Sequence, residues 1–380
     1  MNEHLNLVFG ASGYVGSHLV ERLLREGRRV RAAARNLKVL EGREWREVEL
    51  CSADALVPAT LTAALSGVQT AYYLVHSMAA GADFAQLDRQ AAHAFADAAA
   101  AAGVSRIIYL GGLVPPGADS THLVSRCETG EVLRAGQVPV TELRAGIIVG
   151  AGSAAYEVIR DLVNHLPVMI TPRWVKSKSS PIALDNLLDY LVRLPDLEET
   201  AGAILDAGGP DYLSYESMMR EFGAVVGKHP LIIPVPVLTP ELSARWLSLI
   251  TTVPTGIARA LIGGLKHDIP ADDATLRRLL PQPLLGFRGA VEAALKAERE
   301  NVVAARWTEG RLMFRGNRSD YSFYARKASG SALSTAGPEA VWQVVTAIGG
   351  DNRYFALDWL WRIREFLDWV HEQAVAEKGA

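Results

Sequence analysis

The sequence predicts an α/β protein. A doubly wound parallel sheet is expected over residues 1–237, a mainly helical region over 238–306, and a small C-terminal α+β or helical unit over 307–380. Three observations carry that expectation. Short apolar runs alternate with segments of helical period from residue 5 onward, the pattern of strands and crossover helices in a parallel sheet covered on both faces. A glycine triplet, Gly10, Gly13 and Gly16, stands between the first apolar run and the first amphipathic segment. After Pro210 the alternation gives way to helical stretches punctuated by proline, and the region from 307 onward holds most of the tryptophans.

Taken in order, residues 5–9 are the first strand. Val15, Leu19, Val20, Leu23 and Leu24 form one face of the next helix, Glu21, Arg22 and Arg25 the other, and Gly27 stops it. Strands are expected at 29–34, 47–50 and 70–75, with a short helix over 60–65 ending at Gly67. Phe84, Leu87, Ala91, Ala92, Phe95, Ala98, Ala99 and Ala102 mark a long helix closed by Gly103. Residues 106–110 are a continuous apolar run and so an interior strand, with Gly111 and Gly112 at its end. A helix over 122–135, a strand over 140–149 running into Gly150, and a strand over 203–207 complete the sheet. Ser214 is a candidate N-cap for a helix over 214–226. Pro234 and Pro236 break the apolar run 231–237 into an edge strand or extended cover. Prolines at 270, 281 and 283 mark 268–290 as the expected first site of proteolysis. Helices are expected at 339–348 and 355–375.

Composition narrows the function classes. A formal net charge of −3 over 380 residues argues against a nucleic-acid platform. Two cysteines, Cys51 and Cys127, have no metal-ligand spacing and suggest a reducing compartment, the cytoplasm. The first strand leaves no room for a signal peptide, and no run approaches the ~18 apolar residues of a membrane helix.

The glycine triplet supplies the chemistry. Gly10 allows a tight exit from the strand, Gly13 close approach of a pyrophosphate, and Gly16 close packing of helix on strand; the helix N-terminus then offers N–H groups to the anion. The turn Gly10, Ala11, Ser12, Gly13, Tyr14, Val15, Gly16 is therefore the candidate seat of a dinucleotide on a Rossmann-type sheet. No carboxylate ends the second strand, and Arg35 follows it. A guanidinium there suits a 2′-phosphate, so NADP(H) is favoured over NAD(H). Ligands of open parallel sheets bind beyond the C-terminal strand ends. That rule adds Asp54, Leu74, Val75, His76, Gly111, Gly112 and the segment 145–150 to one crevice.

The G-x-x-G-x-x-G turn, the strand order and segment 203–237 resemble the short-chain dehydrogenase/reductase superfamily, in its extended and atypical, NmrA-like, NAD(P)H-binding members. The segments 72–78, 106–113 and 166–174 resemble a bacterial subfamily that fuses this domain to a C-terminal domain of unknown function, and 347–364 resembles the start of that domain. The likeness spans nearly the whole chain and implies that the fused domain stops early here. It implies that Asp54 contacts adenine, that Leu74, Val75 and His76 line the ribose, and that 144–148 lies at the nicotinamide side. Typical members carry Y-x-x-x-K on the helix after the fifth strand. By that alignment His122 stands at the tyrosine place and Arg126 at the lysine place, while Gly111-Gly112 replaces the serine. Histidine can act as a general acid near neutral pH; arginine binds anions but does not shuttle protons.

Two functions follow as expectations. One is an NAD(P)H-dependent reductase passing hydride to a small carbonyl or activated double bond, with His122 or a water supplying the proton and Arg126 anchoring cofactor or substrate. The alternative is a non-catalytic NADP(H)-binding redox sensor or scaffold subunit. The tail presents Phe355, Leu357, Trp359, Leu360, Ile363, Phe366, Leu367 and Val370 on one helical face. It is expected to pack on 239–306 or on a second subunit as a homodimer, and its tryptophans leave a peripheral membrane contact open.

Overall fold

A computed structural model describes residues 4–43, 45–75, 84–114, 121–235, 267–300, 303–305 and 334–346. They fall into two compact units, one within Met1–Ala325 and one within Arg326–Ala380. In the first unit the chain runs β1 (Leu5–Phe9), α1 (Tyr14–Arg25), β2 (Arg29–Ala34), α2 (Leu37–Glu41), β3 (Val48–Ser52), α3 (Pro58–Leu65), β4 (Val68–Tyr73), α4 (Phe84–Ala101), β5 (Arg106–Gly112), α5 (Thr121–Arg134) and β6 (Val140–Ala145). It continues through β7 (Ile148–Val149), α6 (Ala154–His165), β8 (Val168–Pro172), β9 (Lys178–Ser179), β10 (Ile182–Ala183), α7 (Leu184–Arg193), β11 (Ile204–Ala207), β12 (Leu213–Ser214), α8 (Tyr215–Val225), β13 (Leu231–Val235), α9 (Ala274–Leu279) and α10 (Phe287–Arg299).

Seven strands form one parallel sheet in the order β11-β6-β5-β4-β1-β2-β3. The chain builds outward from β1 to β3, then returns to β4 on the other side of β1. The crevice between β1 and β4 is thus the switch point where such sheets take ligands. β1 is buried along its whole length because both its faces are covered. Val8 packs with Leu19, Val20 and Leu23 of α1 and Leu187, Leu188 and Leu191 of α7. Leu5, Leu7 and Phe9 pack with α3 and α4, where the Phe95 ring lies 5.0 Å from Phe9 and 4.9 Å from Tyr73. A third core joins Tyr156 and Ile159 of α6, Met218 and Phe222 of α8, and Phe287 and Val291 of α10.

Several boundaries differ from the sequence expectation for identifiable reasons. The third strand begins at Val48 because Glu47 adopts φ +61°, which a strand cannot contain. The strand expected over 140–149 breaks after Ala145. A Cβ at Gly146 would lie 2.7 Å from the Ser180 carbonyl oxygen, so the two backbones cross there; the chain leaves the main sheet and pairs β7 with β10 instead. The fourth strand ends at Tyr73 rather than 75. The apolar run after 230 forms β13, which pairs in parallel with β8 in a separate two-stranded ladder. Helices α6 and α7 occupy a stretch to which the sequence reading gave no elements, although Leu184, Leu187, Leu188 and Leu191 carry a helical period. In the second unit, α11 (Pro338–Thr346) starts one residue ahead of the expected helix. His76, residues 238–266 and the helix expected over 355–375 lie outside the described residues. Among the described residues no helix is long and apolar enough to cross a membrane.

The proline-marked stretch 268–290 is not an open linker. Leu276 and Leu280 are buried in the α1–α7 core. Asn186 of α7 donates from Nδ2 to Gln282 Oε1 and to the Pro283 carbonyl, both at 2.9 Å, and accepts the Leu285 N–H at 2.9 Å. Gln282 Nε2 donates back to the Asn186 carbonyl at 3.0 Å, and Asp211 accepts the Phe287 N–H that opens α10 at 2.6 Å. Prolines here shape a strap that the buried Asn186 amide and Asp211 fasten to the core. Asn186→Ala removes three bonds at a 5% exposed site and should cost about 1–3 kcal/mol. The melting temperature should fall by about 2–4 °C per kcal/mol, and chymotrypsin should begin to cut near Leu284. An unchanged melt and digestion pattern would contradict the strap.

Candidate functional site

The glycine turn is shaped by crowding on every side. Gly10 has φ +97°, and a Cβ there would sit 2.9 Å from the Leu74 carbonyl oxygen, so the turn and the end of β4 touch through backbone alone. A Cβ at Gly16 would fall 2.3 Å from the Gly10 carbonyl oxygen, which fixes how closely α1 lies on β1. Gly13 is less confined; a Cβ would stand 3.3 Å from the same oxygen. Gly10 and Ala11 donate to the Ala33 carbonyl at 3.0 and 3.1 Å, and the buried Ser17 hydroxyl donates to the Ala11 carbonyl at 2.8 Å. The turn is therefore rigid before any ligand arrives. α1 begins at Tyr14 without a capping side chain, and its first turn has no acidic residue. Its opening N–H groups lack helical partners and suit an anion. A cradle that excludes side chains and a bare helix start together fit a pyrophosphate.

Tyr14 belongs to the expected set, but its side chain turns away from the cradle. Its hydroxyl donates to the Ala151 carbonyl at 3.0 Å, fastening α1 to the loop before α6, and its ring lies 4.7 Å from His18. Burial pushes the His18 imidazole below its ordinary pKa, even though Nδ1 contacts the Tyr14 carbonyl at 2.8 Å. Only the backbone of Tyr14 remains for a ligand. Ser17, not anticipated from sequence, braces the turn from inside.

The rim at the β2 and β3 ends brings Arg35 and Asp54 close together. Ala53 N–H bonds the Ala34 carbonyl at 3.0 Å, and the Ser52 hydroxyl donates to the Arg35 carbonyl at 3.3 Å. Arg35 is exposed, and no described residue bonds its guanidinium. Lys38, in the first turn of α2, adds a second exposed cation three residues on. The Asp54 carboxylate accepts the Leu56 N–H through Oδ1 at 2.9 Å, so part of its capacity holds its own loop. Leu74 and Val75 follow β4 half-buried.

At the β5 end the structure brings Gly111 and Gly112 against two arginines. Arg126 of α5 lies over Gly112, where a Cβ would stand 3.2 Å from Nε. Its Nη2 donates to the Leu110 carbonyl at 2.6 Å, and its own carbonyl accepts the Tyr109 hydroxyl at 3.0 Å. Arg126 Nε is buried and has no partner among the described residues. Beside it, Glu142 of β6 is 1% exposed and bridges Arg134 and Arg144, with Arg144 Nε 2.7 Å from Oε1. Gly111 and Gly130 make room for this carboxylate: Cβ atoms there would lie 3.1 and 2.6 Å from its oxygens. Arg126, Arg134 and Arg144 thus share this end of the crevice with Glu142 and with Asp206, the register partner of Arg144 on β11. Glu142 escaped the sequence reading because a lone glutamate within a strand carries no signal. His122 lies in the first turn of α5, one helical turn before Arg126; its backbone is described and its side chain is outside the described set.

Residues 10–137 match the family described as NAD(P)H-binding. Over 115 residues the chain is 33% identical to cinnamoyl-CoA reductase 1 of Oryza sativa subsp. japonica; the match covers 28% of this chain and spans only 34% of that relative's length. It is 27% identical over 257 residues to ceramide reductase of Caulobacter vibrioides (strain NA1000 / CB15N), covering 64% of this chain and 79% of that protein. Among solved structures, an NADPH-dependent quinone oxidoreductase of Escherichia coli complexed with NADPH superposes with TM-score 0.62 at 21% identity, over 76% of this chain and 98% of that one. Triphenylmethane reductase of Citrobacter sp. gives 0.63 at 19% identity, over 77% and 99%. A nucleoside-diphosphate-sugar epimerase of Staphylococcus aureus gives 0.61 at 13%, over 76% and 99%. At these identities the structures establish the fold. About a third of the chain, residues 10–137, is thus similar to the NAD(P)H-binding family, and the solved structures show that the chain has the Rossmann-type fold.

Proposed function

We propose that the protein is an NADP(H)-dependent oxidoreductase that reduces a small carbonyl or activated double bond. The observation that carries this reading is the Gly10–Gly16 turn, closed on the Leu74 backbone and opening into an uncapped helix. When bound, a nicotinamide dinucleotide supplies hydride. The chain's own groups would hold and orient it: backbone N–H groups from Tyr14 to Gly16 for the pyrophosphate, Asp54 at the adenine, and Leu74, Val75 and His76 along a ribose. Arg35, with Lys38 beside it and no carboxylate ending β2, supports a 2′-phosphate. The Escherichia coli quinone oxidoreductase complexed with NADPH and the Citrobacter sp. triphenylmethane reductase complexed with NADP(H) support the same reading.

At the β5 end Gly112 carries no side chain between the strand and Arg126, whose Nε–H beside it has no partner among the described residues. A guanidinium there stabilises negative charge developing on a substrate oxygen. His122 is the residue proposed to deliver the proton. Segment 166–174 and the region after 239 are proposed to cover the substrate. A cytoplasmic setting agrees with the unpaired Cys51 and Cys127. A non-catalytic NADP(H)-binding sensor or scaffold is the second reading. It is favoured by Arg126 itself, which fills the lysine place with a group that does not shuttle protons and whose Nη2 is already tied to the Leu110 carbonyl.

Fluorescence titration should show tighter NADPH than NADH binding. Arg35→Ala should narrow that preference by about tenfold, the worth of a charge-assisted hydrogen bond. Equal affinities in the unmodified protein would overturn the NADP(H) assignment. With a quinone, aldehyde or enone that turns over, His122→Ala should lower kcat by at least about 10²-fold while leaving NADPH affinity near its original value. Full turnover in that variant would place the proton donor elsewhere. Absence of turnover across the panel, with NADPH still bound, would put the sensor reading first.

A further inference from the structure

We propose that the outer face of the β8–β13 ladder docks on an anionic lipid bilayer. The ladder alternates cleanly. Met169 and Ile232 are register partners and point inward, 0% and 5% exposed. Val168 pairs with Leu231, and Ile170 with Ile233, on the opposite face. Those four side chains are 51%, 55%, 55% and 42% exposed in the order Val168, Ile170, Leu231, Ile233. Adjacent residues on two paired strands form a contiguous two-by-two aliphatic block, unlike the single exposed apolar residues common on protein surfaces.

Charge selects the partner. No acidic residue occurs in residues 162–184 or 222–240, the segments that contain the two strands and their flanks. Lys176 and Lys178 are exposed beyond the end of β8, and Lys228 and His229 are exposed ahead of β13, with His165 exposed ahead of β8. Lys228 Nζ donates to the Asn164 carbonyl at 3.0 Å, which keeps that cation at the border of the block. Asp268 stands at the Lys178 end, where its Oδ1 accepts the Lys178 backbone N–H at 2.8 Å. An apolar block with cations at both ends matches a membrane interface, where aliphatic side chains enter the acyl boundary and lysines meet anionic headgroups. Four half-exposed aliphatic side chains fall well short of the roughly 800 Å² per partner that a stable protein interface needs. A second copy of the chain is therefore the weaker fit. This docking face belongs to a separate ladder, so it stands or falls independently of the dinucleotide reading.

The test uses the full chain with vesicles of phosphatidylcholine alone or mixed with phosphatidylglycerol, assayed by co-sedimentation at low and high salt. The protein should bind the mixed vesicles, bind phosphatidylcholine weakly, and dissociate as salt rises. The double variant Leu231→Glu, Ile233→Glu should lose at least about tenfold in vesicle affinity, as should Lys176→Gln, Lys178→Gln, with NADPH affinity and circular dichroism unchanged. The lysine variant leaves the aliphatic block intact, so it keeps the test open if the glutamate variant folds poorly. No binding by the unmodified protein, or equal binding by the lysine variant, overturns the proposal. A dimer in light scattering that the glutamates split would assign the face to a second copy and overturn it as well. Loss of stability in the glutamate variant, with no vesicle binding by the unmodified protein, would mean that the chain's own segment covers the face.

Discussion

The structure depends on one crowded crossing, where the Gly10 carbonyl oxygen meets the start of α1. A Cβ at Gly16 would lie 2.3 Å from that oxygen, and one at Gly10 would lie 2.9 Å from the Leu74 carbonyl. Nothing larger than hydrogen fits, so α1 lies on β1 at the closest approach the backbone permits. That approach sets where Leu19, Val20 and Leu23 enter the core with α7, and it aims the helix start at the switch point beyond β1 and β4. Packing and ligand geometry are thus decided by the same atoms. The Ala33 carbonyl, which accepts from both Gly10 and Ala11, and the Ser17 hydroxyl keep the turn in shape without a ligand. Pre-organisation of that kind lowers the ordering cost of binding.

The opposite end of the crevice is built on charge. Glu142 is buried, and a buried carboxylate is tolerated only with partners; Arg134 and Arg144 supply them. Gly111 and Gly130 are small because the carboxylate needs their space. Arg126 sits beside this cluster with its Nε unpaired among the described residues and its Nη2 fastened to β5. The result is a fixed floor of paired charges, on which the proposed role of Arg126 rests. Proton movement is a separate requirement, which the proposed function assigns to His122.

Much of this was legible in the sequence where local pattern and tertiary role coincide. The strand–glycine–helix unit was readable because each glycine serves a local backbone need and the apolar residues of α1 keep a strict helical period. The positions of Arg35 and Asp54 just past β2 and β3 were readable because strand ends follow from strand periodicity. The reading failed where distant segments decide. Gly146 ends β6 because the Ser180 backbone crosses it, and no local signal announces that crossing. Glu47 enters the left-handed region against its intrinsic preference. The prolines of 268–290 read as punctuation, yet Asn186, far away in sequence, binds them into the core. Tyr14 looked like a ligand residue by position, while its hydroxyl is taken by Ala151. Glu142 is intelligible only with α5 and the β6 end in place.

The most direct test of the account is backbone hydrogen exchange measured with and without saturating NADPH. If the crowded turn is the pyrophosphate seat, exchange should slow at residues 10–17, most at the N–H groups of Tyr14, Val15 and Gly16 that lack helical partners. Slowing should extend to 35–38 and 74–75, the neighbouring strand ends. NADPH binding that leaves residues 10–17 unchanged, or that protects only segments away from the β1–β4 crevice, would contradict it.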